Sequence, residues 1–275
     1  MDGFYFSVLM SVYEKDDPVF LEQALDSLKF QTVLASEIVL VFDGPLPEIL
    51  ENVVTRYSSV LPIVILKLPV NVGLGYALNR GLELCKYDWV FRMDSDDICR
   101  NDRFEIQCNF IKDNPSVDLF GGGISEFVGS GETIGCRVVP ETNKSIRSAM
   151  AYYSPFNHVT VAFRKKSVSE VGGYEGGRNF QEDYYLWIKL AKTKAIFANI
   201  PQILVDVRCG DDMLSRRGGL DYFIKEIKVS LAGLKNGVIP LSSFCKNFVV
   251  KFVVRLSPLF VRRVLYKTGR RLRNR

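Results

Sequence analysis

The sequence predicts an α/β protein with a mostly parallel central sheet flanked by helices and a C-terminal amphipathic helical tail. Two observations support this fold class. Short, continuously apolar runs of strand length alternate with segments of helical periodicity through the first hundred residues, which is the pattern of βαβ units. The chain has 275 residues, of which 47% are hydrophobic, so it can build one large domain or two small ones.

The elements alternate most regularly in the first half of the chain. Strands are predicted there over 7–13, 37–42, 63–68 and 89–93. Proline suits the first turn of a helix, and helices are predicted from Pro18, over 46–58 and over 74–85. The second half predicts strands over 118–127, 133–139 and 158–164, a helix over 183–192, and two short strands within 195–207.

Polar and aromatic residues follow several of these strands. In parallel sheets, ligands bind beyond the carboxyl ends of the strands. This rule predicts that one rim of the sheet carries Tyr13, Asp43, Asn71 and the segment Asp94–Asp97. Four polar or aromatic strand ends at one edge are more than turn formation alone would require, so we expect a binding site there.

The most acidic strand end is Arg92-Met93-Asp94-Ser95-Asp96-Asp97. Three carboxylates within four residues repel one another and raise one another's pKa. Aspartate oxygens suit Mg²⁺ or Mn²⁺, and these ions also bind diphosphates. The segment therefore predicts a metal-assisted enzyme acting on a nucleotide-linked substrate. The alternative interpretation is an acidic turn that caps a helix from Asn101 onward.

Cysteine and histidine usage excludes several classes of site. The six cysteines, at positions 85, 99, 108, 136, 209 and 245, form no C-x-x-C pair, so neither a zinc knuckle nor a redox motif is supported. The single histidine, His158, excludes a multi-histidine zinc site. We expect reduced thiols in a cytosolic protein, with no signal peptide and no membrane-spanning helix.

The C-terminal segment 241–275 differs from the rest of the chain in charge. It contains ten Lys or Arg and no Asp or Glu, and subtracting these ten charges from the net charge of +5 leaves −5 for residues 1–240. Apolar residues recur in it at spacings of three and four, which places many of them on one helical face. This pattern favours a helix lying in the surface of an anionic membrane. The alternatives are a helix packed on the body with a solvated charged face, and nucleic-acid binding by the final arginines.

Five motifs occur in order between about residues 6 and 217. They are Ser7-Val8-Leu9-Met10-Ser11-Val12-Tyr13, Val41-Phe42-Asp43-Gly44-Pro45, Asn71-Val72-Gly73 with Ala77 and Asn79-Arg80-Gly81, Met93-Asp94-Ser95-Asp96-Asp97, and Glu182-Asp183-Tyr184-Tyr185-Leu186-Trp187. In this order and at these separations, they resemble the motifs of inverting family 2 glycosyltransferases, which have the nucleotide-sugar-binding GT-A fold. The first two motifs look closest to those of bacterial O-antigen and exopolysaccharide β-1,3-hexosyltransferases. The resemblance implies a GT-A domain over 1–240, followed by the tail 241–275.

The resemblance assigns parts of a UDP-hexose donor to the rim. Tyr13 would stack on uracil, and Asp43 would accept the imide N–H of that base. Asn71 would begin a loop whose following helix N-terminus meets the donor. Asp94 would hold the ribose or sugar, and Asp96 would bind Mn²⁺ or Mg²⁺ across the diphosphate. The structural alternatives are a core tyrosine, a turn-capping aspartate and an ordinary loop cap. Phe42 stands where family members usually carry a second acid.

Two further groups complete the predicted metal and catalytic sets. Asp94, Asp97 and His158 are additional metal candidates. The alternatives are that Asp97 caps the following helix and that His158 contacts the donor or the acceptor phosphates, although a lone histidine is more often structural. The family pattern places the pair Glu182 and Asp183 at the catalytic centre, with Asp183 as the base on the acceptor hydroxyl. Direct displacement would then invert an α-linked donor to a β-linked product. The alternative is an acidic pair that stabilises a helix N-terminus.

A basic, glycine-bounded loop follows the last predicted strand. Its residues Arg216 and Arg217, with Arg208 before them, suit a lid that closes on UDP or on the diphosphate of the acceptor. The alternative is a solvated surface loop.

The resemblance implies transfer of glucose or galactose from a UDP-sugar to a lipid-diphosphate-linked sugar. The most specific expectation is GlcNAc-diphospho-undecaprenol as acceptor, a β-1,3 product, and peripheral attachment to the cytoplasmic face of the bacterial inner membrane, without a nucleic-acid partner. Alternatives are addition of a later sugar, a sugar nucleotidyltransferase and a non-catalytic UDP-sugar-binding protein. The segment 13–17 lacks the glycine-rich phosphate loop of nucleotidyltransferases, and the presence of Asp96 and Asp183 argues against a non-catalytic protein.

Overall fold

The computed structural model describes residues 4–129, 131–176, 181–210, 218–258 and 261. The strands in these residues are β1 (Ser7–Val12), β2 (Glu37–Phe42), β3 (Ile63–Lys67), β4 (Trp89–Arg92), β5 (Ile98–Cys99), β6 (Leu119–Val128), β7 (Glu132–Arg137), β8 (Ala162–Arg164) and β9 (Phe197–Arg208). The α-helices are α1 (Pro18–Lys29), α2 (Glu48–Tyr57), α3 (Leu74–Leu84), α4 (Arg103–Asp113), α5 (Asn143–Ala149), α6 (Lys165–Glu170), α7 (Glu182–Ala191), α8 (Leu220–Lys235) and α9 (Leu241–Leu256). A 3-10 helix spans His158–Thr160.

The described strands form one sheet in the order β3-β2-β1-β4-β8-β6-β9-β5, with β7 paired to β6. The first four strands of this order are parallel. β8 is antiparallel to both β4 and β6, whereas β6 and β9 are parallel. The predicted α/β class is confirmed, and the sheet is parallel in its first half and mixed in its second.

Helices cover both faces of the parallel half, which explains why its strands are apolar at successive positions. Val8 and Met10 of β1 pack into a core with α1, α2 and α4, while Leu9 packs on the other face with α3. Apolar residues of α7 and Val229 of α8 extend this second core. Because β1, β2 and β4 are parallel neighbours, their carboxyl ends lie at one rim.

Two predictions for the second half were wrong in detail. The segment 158–164 begins as a 3-10 helix and is extended only from Ala162, since Thr160 Oγ1 donates to the carbonyl of Asn157 at 2.8 Å. The two strands expected within 195–207 are one strand, β9. Its register against β6 shifts after Ile200, and the shift accommodates Pro201, which has no N–H to donate.

The predicted tail is only partly described. Helix α9 packs against α8, where the rings of Phe223 and Phe248 lie 5.5 Å apart and Arg255 forms an ion pair with Glu226 at 2.8 Å. Residues 262–275 lie outside the described residues. The division into 1–240 and 241–275 therefore stays a prediction. In the part of the chain that the structure describes, no helix has the length and apolarity required to cross a bilayer.

Candidate active site

The loop after β1 forms one side of the rim. Tyr13 directly follows β1, and 39% of its surface is exposed. Asp16 folds back on it: the Asp16 N–H donates to the Tyr13 carbonyl at 3.1 Å, and Asp16 Oδ2 accepts the Tyr13 N–H at 3.2 Å. The same Oδ2 accepts the hydroxyl of Ser95, from the segment after β4, at 2.8 Å. Burial, and to a smaller extent Asp96 and Asp94, raise the pKa of Asp16 to about 6.

Asp43 joins the loops that follow β2 and β3. Its buried carboxylate accepts the backbone N–H of Val72 at 2.7 Å and that of Gly73 at 3.0 Å. The side chain of Asn71 donates to the Asp43 carbonyl at 3.1 Å. Gly44 has a φ of +93°, and a Cβ there would lie 2.7 Å from the backbone nitrogen of Asn71, so the turn requires glycine. The carboxylate retains acceptor capacity for a further donor, since its two oxygens together can accept about four hydrogen bonds.

The acidic segment after β4 is held by two arginines. Arg92 Nη2 forms an ion pair with Asp94 Oδ1. The backbone N–H of Arg208 donates to Asp97 Oδ1 at 2.9 Å, and Arg208 Nε donates to the carbonyl of Asp96 at 3.2 Å. Asp97 is buried and Asp94 is half-buried, whereas the Asp96 side chain is exposed. The segment therefore directs Asp96 to solvent at the rim.

Burial and mutual repulsion raise the pKa values of this segment. Loss of hydration is the main cause at Asp97, and the charges of Asp94 and Asp96 add to it. At Asp96, partial loss of hydration and the charge of Asp94 also raise the pKa. A bound divalent cation would favour the ionised form of each carboxylate and relieve the repulsion.

Arg92 lies at the centre of these charges. Its side chain is only 1% exposed, and its Nε and Nη1 atoms have no hydrogen-bond partner among the described residues. Arg103 donates to the Arg92 carbonyl at 2.7 Å and so fixes the backbone at the end of β4. A buried guanidinium with unpaired donors is costly. Its position beneath the acidic segment compensates for part of that cost, because it attracts several carboxylates at once.

Helix α7 brings a second acidic pair towards this segment. Glu182 and Asp183 occupy its first turn, where the helix dipole favours negative charge. Gly75, in the first turn of α3, allows the Glu175 carbonyl and the start of α7 to lie close to α3. A Cβ on Gly75 would lie 2.4 Å from the carbonyl oxygen of Glu175 and 3.3 Å from Cβ of Glu182.

The two acidic groups are within electrostatic reach of each other. Burial first, and then the charge of Asp183, raise the pKa of Glu182 to about 7. Asp94 adds to this rise and Arg92 opposes it. The structure therefore brings the predicted catalytic pair within electrostatic reach of Asp94.

His158 lies behind the acidic segment. It is half-buried, its Nε2 is 3.1 Å from the Tyr174 hydroxyl, and its ring centre is 6.0 Å from that of Trp187. Burial, followed by the charge of Arg92, lowers its pKa to about 3, so the imidazole is neutral at physiological pH. A neutral imidazole can bind a metal through its other nitrogen, and the metal role of His158 stays a prediction.

The three arginines predicted for a lid fall into two groups. Arg216 and Arg217 lie outside the described residues. Arg208 ends β9, and its guanidinium carbon lies 3.8 Å from the ring centre of Phe20 and 4.7 Å from that of Phe127. Cation–π contacts of this kind stabilise a guanidinium in place. Arg208 is therefore part of the rim itself.

The side chains that could bind a metal at the rim suit a cation that is shared with a substrate. In the described ranges, no three His, Cys, Asp or Glu side chains are arranged to hold a metal without help. Mg²⁺ is typically bound through one or two carboxylates together with substrate phosphates. The exposed carboxylate of Asp96, beside Asp94 and Asp97, supplies that kind of partial coordination sphere.

Sequence reasoning missed two residues of this site. No role is predicted for Arg92 from the sequence, although a cation immediately before three acids indicates an internal ion pair. Asp16 was read only as part of a loop without phosphate-binding glycines. Its contact with Ser95 joins positions 79 residues apart, and no local pattern predicts such a contact.

Comparison with known proteins identifies the family. The profile described as "Glycosyl transferase family 2" matches residues 7–172, more than half of the chain. The chain belongs to glycosyltransferase family 2. Two bacterial relatives of this glycosyltransferase match over nearly their whole lengths. The amylovoran biosynthesis glycosyltransferase AmsE of Erwinia amylovora is 40% identical over 269 residues, which are 97% of this chain and 99% of the relative.

The second relative has a name that states its reaction. It is the UDP-Gal:alpha-D-GlcNAc-diphosphoundecaprenol beta-1,3-galactosyltransferase of Escherichia coli, 39% identical over 263 residues, with 95% of each chain covered. The resemblance of this glycosyltransferase to bacterial O-antigen and exopolysaccharide enzymes is therefore confirmed.

Solved structures confirm the GT-A fold of this glycosyltransferase. S. aureus TarS 1-349 in complex with UDP-GlcNAc has a TM-score of 0.65 at 17% identity, and the match covers 83% of this chain and 66% of TarS. The mannosyltransferase PcManGT of Pyrobaculum calidifontis, in complex with GDP-Man and Mn²⁺, has a TM-score of 0.60 at 16% identity, with 97% and 79% covered.

Proposed function

We propose that this glycosyltransferase transfers glucose or galactose from a UDP-sugar to a lipid-diphosphate-linked sugar, with Mn²⁺ or Mg²⁺ as cofactor. The proposed acceptor is GlcNAc-diphospho-undecaprenol and the proposed product is β-1,3-linked. The observation that carries this proposal is that Asp43, which follows β2, and the acidic segment after β4 lie at one rim of the sheet, with the acidic pair of α7 within electrostatic reach of that segment. The E. coli relative, whose name states this acceptor and linkage, supports the choice of substrate class.

The proposed reaction is a single displacement. Asp183 takes the proton of the acceptor hydroxyl, and that oxygen forms a bond to the anomeric carbon. The bond from this carbon to the diphosphate oxygen breaks, and UDP leaves with the electron pair. Attack opposite the leaving group inverts the configuration and converts an α-linked donor into a β-linked product. Asp96 and Asp97 would hold the metal, which would supply Lewis-acid stabilisation of the charge that develops on the departing diphosphate.

The donor end of the site has one polar and one aromatic component. Tyr13 presents an exposed ring on which uracil would stack. Asp43 holds the loop at Val72 and Gly73 through one hydrogen bond to each oxygen, and its remaining acceptor positions would receive the imide N–H of uracil. Asp94, oriented by Arg92, would accept a ribose or sugar hydroxyl.

The proposed contact with an anionic membrane is supported by the orientation of α9, which has its polar face inward. Ser243, Asn247, Lys251 and Arg255 follow one another at spacings of four, so they lie on one side of the helix. Lys251 donates to Ser230 Oγ at 3.1 Å, and Arg255 makes a two-fold contact with Glu226 at 2.8 and 2.9 Å. Two lysines or arginines that were expected to meet lipid headgroups therefore face the body instead.

The outer face of α9 is largely apolar, with Lys246 exposed among its apolar residues. Six large apolar side chains on it are between 42% and 64% exposed: Leu241, Val249, Val250, Phe252, Val253 and Leu256. A helix that turns polar groups to the protein and apolar groups outward needs an apolar medium on its outer side. Seven Lys or Arg in residues 262–275 would add attraction to anionic lipid. We therefore propose peripheral attachment at the cytoplasmic face of the inner membrane, where the lipid-linked acceptor would be bound.

A donor screen tests the proposed reaction. Purified protein, a GlcNAc-diphosphate-lipid acceptor and Mn²⁺ are incubated with UDP-glucose, UDP-galactose, UDP-GlcNAc or GDP-mannose. We expect a β-linked disaccharide from one UDP-hexose and no product from the Asp183→Asn variant, which should keep its UDP affinity. Transfer from GDP-mannose alone would overturn the donor assignment, and full turnover in the variant would overturn the base.

Vesicle sedimentation tests the proposed membrane face. The double variant Val249→Gln with Val253→Gln should lose binding to anionic vesicles. Val60→Gln with Val70→Gln is the matched control, because these valines are similarly exposed elsewhere on the protein. Equal losses in both variants, or none in the first, would contradict the assignment of α9.

A further inference from the structure

The Asp16 side chain links the two loops that the proposed function assigns to the donor. One loop follows β1 and carries Tyr13, and the other follows β4 and carries Ser95 between Asp94 and Asp96. The strands before them are neighbours, and Met93 N–H donates to the Leu9 carbonyl at 3.1 Å. The pairing of β1 with β4 ends here, and the Asp16–Ser95 hydrogen bond joins the two loops beyond it.

One oxygen of Asp16 contacts both loops. Oδ2 accepts the Ser95 hydroxyl at 2.8 Å and the Tyr13 N–H at 3.2 Å. Ser95 is buried and Asp16 is half-buried, so water competes weakly for these hydrogen bonds. The aromatic ring of one loop and the carboxylates of the other are therefore held at a fixed separation.

We propose that Asp16 is a positioning residue for the donor nucleotide, which acts by tying the loop of Tyr13 to the segment of Asp94 and Asp96. This inference rests on the proposed function, in which the first loop binds the base and the second binds the diphosphate and its metal. Asp16 thereby sets the distance between base and diphosphate without touching either. Its contribution is made on donor binding, before the displacement step.

The neighbouring Asp17 provides a matched control. It is also a carboxylate of this loop, but it caps α1 by accepting the N–H groups of Val19 at 2.8 Å and Phe20 at 3.4 Å. Asp17→Ala therefore destabilises the start of α1 but keeps the hydrogen bond between Asp16 and Ser95. Comparing Asp16→Ala with Asp17→Ala therefore distinguishes two effects: loss of the link between the two loops, and a general loss of order in the loop after β1.

The test measures UDP affinity with Mn²⁺, uridine affinity, and the KM for the donor and kcat separately. We expect Asp16→Ala and Ser95→Ala each to weaken UDP binding and raise the donor KM about tenfold, with a much smaller change in kcat. The double variant should be no weaker than the single variants, because both remove one link. Uridine, which has no diphosphate, should lose less affinity than UDP.

Asp16→Asn distinguishes positioning from charge. Asparagine keeps an acceptor oxygen for Ser95, so it should recover most of the UDP affinity that Asp16→Ala loses. If Asp16→Asn is as weak as Asp16→Ala, the residue acts through its charge and the positioning role is wrong. Equal losses in Asp17→Ala and Asp16→Ala, or additive losses in the double variant with Ser95→Ala, would also overturn it.

The same experiment separates this inference from the proposed function. If the wild-type protein binds a different nucleoside diphosphate and no UDP, the proposed donor is wrong. The variants are then compared with the nucleotide that the wild type does bind. The positioning role fails only if Asp16→Ala binds that nucleotide as tightly as the wild type does, or if one of the results above is found.

Discussion

The raised pKa of Glu182 predicts how the stability of the protein depends on pH. Burial and the neighbouring charge of Asp183 raise this pKa from 4.5 to about 7 in the folded protein. Between these two values the folded protein binds more protons at this position than the unfolded chain does. The free energy of unfolding therefore falls as the pH rises through this window, and the full penalty is present above pH 7.

The size of the penalty follows from the shift. At 1.36 kcal/mol per unit of pKa, a rise from 4.5 to about 7 corresponds to about 3 kcal/mol. The side chain is half-buried, so solvent screening reduces this value to about 2 kcal/mol. Glu182→Gln replaces the carboxylate with a neutral group of the same shape and removes the penalty. We expect the variant to be more stable than the wild type at pH 8 by about 2 kcal/mol, and equal to it near pH 4.5.

Urea unfolding in the presence of EDTA at several values between pH 5 and pH 8 measures this difference. Glu170→Gln is the control, because Glu170 lies exposed at the end of α6. The pH dependence of its difference from the wild type should be much smaller than that of Glu182→Gln, because Glu170 and its ion-pair partner Lys166 are both exposed. A Glu182→Gln variant that is less stable than the wild type at pH 8, or a difference that stays constant with pH, would refute the reasoning.

Three further predictions concern the rim. Asp96→Asn should raise the Mn²⁺ concentration needed for half-maximal UDP binding in a titration, and an unchanged requirement would exclude it as a ligand. Tyr13→Ala should weaken uridine binding by about 1–3 kcal/mol, while Tyr13→Phe should not; equal calorimetric affinities in all three proteins would exclude stacking. Gly75→Ala should destabilise the protein by about 1–3 kcal/mol in urea unfolding, because a Cβ there meets the carbonyl of Glu175 at 2.4 Å; a variant as stable as the wild type would contradict that contact.

Three strands of the parallel half, β1, β2 and β4, were predictable because they are buried on both faces. β2, for example, is buried along its whole length, Glu37–Phe42, and every residue in it after Glu37 is apolar. The second half was less predictable because single side chains decide it. Thr160 turns the chain at the start of one expected strand, and Pro201 is absorbed by a register shift within β9.

The candidate site shows the same division between local and distant determinants. Asp43, Asp94 and Asp96 follow strands directly, so their positions at the rim follow from the order of strands. The role of Arg92 was not predicted, because the sequence does not show that its side chain is buried or which carboxylates it faces. Asp16 was missed because its partner lies in a different loop, brought close only by the pairing of β1 with β4.

The clustered negative charges of the rim predict that binding of a diphosphate there requires a metal cation. The described residues bring Asp16, Asp94, Asp96, Asp97, Glu182 and Asp183 into one region. Among the residues that the structure describes, the arginines beside them are Arg92, which is buried, and Arg208, which is held by aromatic rings. A diphosphate carries negative charge of its own, so it would be repelled from this region unless a cation came between them. UDP should therefore bind far more weakly after treatment with EDTA, and tight binding of UDP by the metal-free protein would show that other positive groups neutralise the diphosphate.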